Sequence, residues 1–232
     1  VTSSVADRDA LLVTGPDAES FLQGQLSQDV VAIPVGASAW SFVLQPQGKV
    51  DALVRVTHLD GDAWRLDVDA GWGEAVKARL ERFKLRVKVE IEADEHPVEA
   101  LYPDERARIE AGWPAMGTEL TERTIPAETG LVDRAVSFTK GCFTGQELVA
   151  RIDSRGGNVP RHLRSVRFAD DSAPPAPGAD VVVGDKTVGT ITSVAGTRAL
   201  AYIGRDVEPP VDGTVRWEGG ATAARIETLP LA

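Results

Sequence analysis

From about residue 163 the chain changes character. HLRSVRF, DVVVG, KTVGTITSVAG, RALAYIG, GTVRWEG and ATAARIE follow one another as short β-like runs, with DSAPPAPG at 171–178 punctuating them. Strands this short and this closely spaced cannot bury an apolar face alone. They specify a sandwich or a small barrel.

The N-terminal half mixes periods. ALLVTGPDAESFLQGQLSQDV reads as strand, turn and short helix. Pro16 suits a first turn, Asp17 and Glu19 suit the helix dipole, and Leu22 and Leu26 share a face. Trp40, Phe42 and Leu44 alternate up to QPQG, a turn sequence, and Val50, Ala52, Val54 and Val56 alternate after it. Trp64, Leu66 and Val68 repeat the pattern. GWGEAVKARLERF predicts a helix with Trp72, Val76, Leu80 and Phe83 on one face. LRVKVEI predicts a strand with Leu85, Val87, Val89 and Ile91 inward. Residues 92–104 interrupt this order and read as a linker, followed by helix-and-loop material around Pro114 and Pro126. The expected class is α+β, with helices on one side of a sheet.

Composition narrows the function. At 43% hydrophobic and 26% charged residues the chain can fill a core. A single cysteine excludes an internal disulfide framework and a cysteine-based metal site built by this chain alone. A net charge of −10 weighs against direct nucleic-acid binding. No apolar run approaches a bilayer span, and VTSSVADRDALLV lacks a basic start before a long apolar stretch. The expected setting is the cytoplasm. His58, His96 and His162 lie in no metal-ligating or catalytic pattern and read as surface or loop residues.

The lone cysteine sits in KGCFTGQELVAR at 140–151. Thr144 and Glu147 have the spacing of a capping box, with Leu148, Val149 and Ile152 as the buried face. Cys142 would precede that helix, two residues after Lys140, where amides and an ammonium both favour thiolate. The plain alternatives are a buried, inert cysteine and a purely structural glutamate.

KGCFTGQE closely resembles the signature of the YgfZ-type folate-binding proteins, relatives of the glycine-cleavage T-protein. FLQGQLSQDV, LQPQGKV, FKLRVKVEI, GWPAMGTEL, IPAE, VGTITS and ALAYIGRDV resemble further family segments in order. The resemblance implies ferredoxin-like folate-binding layers followed by a small C-terminal β-barrel. The domains it implies are 1–91, a shortened second segment at 92–160 carrying the motif, and a barrel at 161–232. It also implies a tetrahydrofolate or related folate as cofactor, no metal, no membrane, and iron–sulfur client or assembly proteins as partners.

On that basis Cys142 and Lys140 are the expected catalytic residues, with Gly141 and Gly145 shaping the motif. Gln25, Glu128, Glu147, Gln146, Arg151 and Arg161 are candidate folate contacts, and Gln23, Gly24 and Asp29 match the N-terminal stretch. Two departures stand out. T-proteins carry an Asp-Asp pair after the glycine turn, where this chain has Ala52 and Leu53. Asp51 is one residue early, which on a regular strand puts it on the opposite face. The 92–104 linker is also short, which bears on folate affinity. The implied function is an accessory role in assembly or repair of iron–sulfur proteins. The alternative is a tetrahydrofolate-dependent aminomethyl or one-carbon transferase, against which the missing Asp-Asp pair argues.

Overall fold

The computed structural model describes residues 8–96, 98–169 and 175–231. Its first half is built on an antiparallel sheet of β1 (Asp9–Thr14), β2 (Ser38–Leu44), β3 (Val50–His58), β4 (Ala63–Val68) and β5 (Glu90–Ala93). The spatial order is β2-β3-β4-β1-β5. On β3 the consecutive residues Ala52, Leu53 and Val54 are all buried, so both faces of the sheet are covered there. Two helices pack against the sheet, α1 (Ala18–Gln25) and α2 (Gly73–Phe83). Val76 and Leu80 point inward from α2 as their spacing predicts. Arg79, on the same face, is buried with them.

The strand expected over 85–91 is overturned in its first half. Pairing begins only at Glu90, Leu85 is 76% exposed, and Arg86 takes a positive φ of 58°. The backbone of Lys88 is already engaged elsewhere. Its N–H donates to the Asp17 carboxylate at 2.7 Å, and its carbonyl presses on Gly15, where a methyl group would lie 2.4 Å away. The turn into α1 therefore takes the bonds a ladder would need, leaving Val89 and Ile91 as the buried pair.

Past the sheet come α3 (Glu105–Glu110), a 3-10 turn (Pro126–Glu128), α4 (Val132–Ala135) and α5 (Gln146–Asp153). Asp104 caps α3 by accepting from the Ala107 amide at 2.8 Å. Leu131, Ala135, Val136, Phe143 and Val149 join the core of the first sheet.

The C-terminal runs are all strands: β6 (Arg161–Phe168), β7 (Asp180–Val183), β8 (Lys186–Ala195), β9 (Arg198–Gly204), β10 (Val211–Trp217) and β11 (Gly220–Glu227). They close into a barrel in the order β10-β11-β6-β9-β8-β7, with β10 pairing to both β11 and β7. Part of the DSAPPAPG segment, residues 171–174, lies outside the described residues.

A small third core, Ile109 with Leu163, Leu200 and Tyr202, joins α3 to the barrel. Beside it lies fully buried Glu119. Its carboxylate accepts from Arg108 at 3.1 Å, from Ser193 at 2.6 Å and from the Ala115 amide at 3.0 Å. Tyr202 donates to its carbonyl at 2.9 Å. Arg108 also holds Glu105 and Ser193, so one connected polar cluster bonds the middle segment to β8 and β9.

Candidate ligand cavity

The Lys140–Cys142 pair separates. Lys140 Nζ turns inward and donates to the carbonyls of Gln23, Leu26 and Gln28, each at 2.7 Å. These carbonyls lie at and just beyond the C-terminal end of α1, where helix geometry leaves acceptors unpaired. Burial pushes the Lys140 pKa down to about 8, with Asp29 opposing. Gln23 ties the same loop, donating to Asp29 and accepting from Val30. The FLQGQLSQDV stretch and Lys140 thus form one structural unit. Cys142 is exposed.

The capping box is also replaced. Helix α5 starts one residue after Gly145, which is left-handed at φ 83°. The Gln146 side chain reaches back to accept from the Phe143 amide at 3.1 Å. Thr144 faces Gly24, its amide donating to that carbonyl at 3.0 Å, and Glu147 is exposed. Gly145 packs on the hairpin turn at Gly48, which is what brings the motif against β2 and β3.

That turn leads into the feature that defines the site. Val43 pairs with Ala52 and Leu44 with Val50, so Asp51 is the extra residue of a β-bulge. The expectation that strict alternation hides Asp51 fails for this reason. The side chain meets Arg79, whose Nε donates to Asp51 at 3.0 Å, Nη1 to Gln25 at 3.2 Å and Nη2 to the Leu44 carbonyl at 2.7 Å. Burial lowers the Arg79 pKa, with Asp51 opposing. Asp51, Arg79 and Arg82 line a cavity of about 600 Å³ between β3, α2 and the 116–122 segment, walled by Trp72, Val76, Met116 and Leu120. A narrower slot of about 200 Å³ shares Trp72 and Met116 with it and is faced by Tyr102 and Trp113.

The other expected contacts disperse. Glu128 is buried and accepts from Arg161 Nε and Nη2, both at 3.2 Å, while Arg161 stacks on Tyr202. Arg151 and Gly141 are exposed. Of the expected contacts, only Gln25 is brought into the Asp51–Arg79 cluster. No group of metal-ligating side chains is found among the described residues, and no described helix is long and apolar enough to cross a membrane.

Residues 161–224 match the family described as the CAF17 C-terminal beta-barrel domain. The "tRNA-modifying protein YgfZ" of Cronobacter sakazakii is 26% identical, covering 98% of this chain and 92% of that protein. Over nearly its whole length the chain is thus similar to a YgfZ protein. The YgfZ alignment runs over 309 residues against the 232 present, so that relative holds insertions this chain lacks. An "Iron-sulfur cluster assembly factor IBA57 homolog, mitochondrial" of Chaetomium globosum is 24% identical, over 81% of this chain and 60% of its own. The chain spans two thirds or less of the length of several curated relatives, 66% of one and 60% of another. In fold, this chain superposes on the glycine cleavage system aminomethyltransferase T of Bartonella henselae with a TM-score of 0.83. Identity there is 18%, with 97% of this chain and 84% of the other covered.

Sequence reasoning missed Arg79, Trp72 and Met116 as site residues. Arg79 was visible only as a cation on an apolar helix face, three residues after Val76 and one before Leu80.

Proposed function

We propose that this chain binds a tetrahydrofolate and serves as an accessory protein in the assembly or repair of iron–sulfur proteins in the cytoplasm, with Cys142 as its reactive thiol. The observation that carries the reading is the bulge that delivers Asp51, braced by Arg79, into an apolar-walled cavity. A carboxylate suits the N–H edge of a pterin-like ring, and Trp72, Val76, Met116 and Leu120 suit its faces. A bound tetrahydrofolate would supply one-carbon chemistry. The protein's own part is to hold the ring, exclude water and present a carboxylate. The names of the Cronobacter and Chaetomium relatives, tRNA modification and iron–sulfur cluster assembly, support the setting. A net charge of −10 weighs against direct RNA contact by this chain. Exposure of Cys142 supports a thiol that a partner can reach, while Lys140 shapes the loop beside it.

The same bulge favours a second reading, one-carbon transfer, because it supplies a cavity carboxylate that a regular strand would withhold. The two separate in one set of experiments. Calorimetric titration with tetrahydrofolate should give saturable binding, weakened at least tenfold, about 1.4 kcal/mol, by Asp51→Asn. Deletion in the host should lower the activity of iron–sulfur enzymes, and wild type but not Cys142→Ala should restore it. Unchanged activities after deletion sink the accessory role. Full rescue by Cys142→Ala sinks the thiol, and turnover of an aminomethyl or methyl donor by the purified protein favours transfer.

A further inference from the structure

A separate cavity of about 330 Å³ lies between the 3-10 turn, α4 and α5 and shares no lining residue with the Asp51 cavity. Val132, Phe138, Val149 and Ile152 give it apolar walls, and Asp133 and Asp153 add two carboxylates. Among the described residues, no side-chain hydrogen bond or ion pair engages either carboxylate. Asp153 is the last residue of α5, an end where the helix dipole favours cations. Arg134, next to Asp133, lies near Tyr102 and does not line the cavity, and neither does Arg151. Phe138 is 46% exposed. The pocket is open, apolar and acidic. What fits it is an apolar side chain with cations beside it.

The chain carries such a feature on another surface. In the loop between α2 and β5, Leu85 is 76% exposed. It is flanked by Arg82, Lys84, Arg86 and Lys88, and no acid lies between 82 and 88. Lys84 pairs with Glu81 at 3.2 Å. The side chains of Arg82, Arg86 and Lys88 make no hydrogen bond or ion pair among the described residues. Arg86 is the one non-glycine residue with positive φ among them, a backbone state that the surrounding bonds must impose. Those bonds are visible: the Lys84 amide donates to the Glu81 carbonyl at 3.1 Å and the Lys88 amide to Asp17 at 2.7 Å. Leu85 is thus held outward by a fixed loop.

We infer that the chain associates with itself head to tail, the Leu85 loop of one copy entering the Asp133–Asp153 pocket of the next. The loop does not line its own chain's pocket, so a second copy supplies it. Leu85 fills the apolar walls while Arg86 and its neighbouring cations meet the two carboxylates. Loop and pocket are different surfaces, so the contact is heterologous and each added copy leaves one of each free until a ring closes. At about 0.1 M salt the Debye length of about 10 Å screens the repulsion between two chains of net charge −10 while the facing groups still interact.

The test is sedimentation velocity on the full chain at that salt, over about a hundredfold range of concentration. The weight-average sedimentation coefficient of wild type should climb with concentration, and about 1 M salt should weaken the association at least tenfold. Leu85→Glu disables the loop and Asp153→Lys disables the pocket. Both positions lie at the surface, and melting temperatures should confirm that each variant folds. Each alone should stay monomeric over the same range. Mixed, they should form a one-to-one dimer and stop there, because only one intact loop and one intact pocket remain to meet. A wild type that stays monomeric throughout overturns the inference. Association that survives either substitution also overturns it, since another surface then carries the contact. Failure of the mixed variants to pair, when wild type associates, shows that loop and pocket do not meet and overturns it as well.

Discussion

Gly145 and Gly48 meet at one backbone crossing: a methyl group on Gly145 would lie 3.1 Å from the Gly48 α-carbon and 2.5 Å from the Gln45 carbonyl oxygen. Both glycines have positive φ, 83° and 82°. Gly145→Ala should therefore cost about 2–4 kcal/mol in chemical denaturation, from strain and displaced backbone together. Gly24→Ala is the control. Nothing lies within 4 Å of the point its added methyl group would occupy, and alanine is the better helix former, so stability should hold or rise by up to about 1 kcal/mol.

Lys140 gives a pH signature. Its pKa is about 8 in the folded chain against 10.5 for a free lysine. Between those values the unfolded chain holds the proton and the folded chain does not, so unfolding takes up a proton. This group's contribution to stability should rise as pH climbs through that window. Denaturation midpoints of wild type and Lys140→Met, measured from pH 7.5 to 11, should diverge in favour of wild type as pH increases. Parallel curves would mean that the lysine titrates normally.

The Glu119 cluster should decide how firmly the barrel is held. Glu119→Ala takes from buried Arg108 one of its two carboxylate partners, leaving Glu105, and removes the bonds that Ser193 and the Ala115 amide make to the carboxylate. The expected loss is about 2–4 kcal/mol. Amide exchange should quicken first in α3 and along β8 and β9. Uniform quickening through the first sheet would instead point to global destabilisation.

Cys142 should be energetically silent. It is exposed, so Cys142→Ser should change stability by no more than about 0.5 kcal/mol. The native protein should be alkylated by iodoacetamide at this position without denaturant. Protection in the native state would contradict the geometry.

The barrel, the β2–β3 hairpin and the apolar face of α2 were legible because each rests on local periodicity. What was not legible depends on partners distant in sequence. The strand expected from Leu85 fails because Asp17 claims the Lys88 amide 71 residues away. The capping box fails because Gly145 must fit against Gly48, forcing the helix to begin at Gln146. The motif itself was recognisable, yet its lysine and cysteine could not be separated without knowing that the end of α1 and the loop after it offer three carbonyls to Lys140. Arg79 is the same case: an arginine on an apolar face gains meaning only from Asp51, Gln25 and Leu44.

The bulge at Asp51 carries a wider consequence. Whether this chain has an acid in its cavity is decided by a missed rung between two strands, not by which letter occupies a column of aligned sequences. Deleting one residue from that strand would leave every neighbouring amino acid in place and still withdraw the carboxylate. Relatives that differ here by a single insertion can therefore differ in chemical capacity while scoring as near-identical. Conversely, a chain with Ala52 and Leu53 after its glycine turn still places a carboxylate at this cavity through backbone register alone.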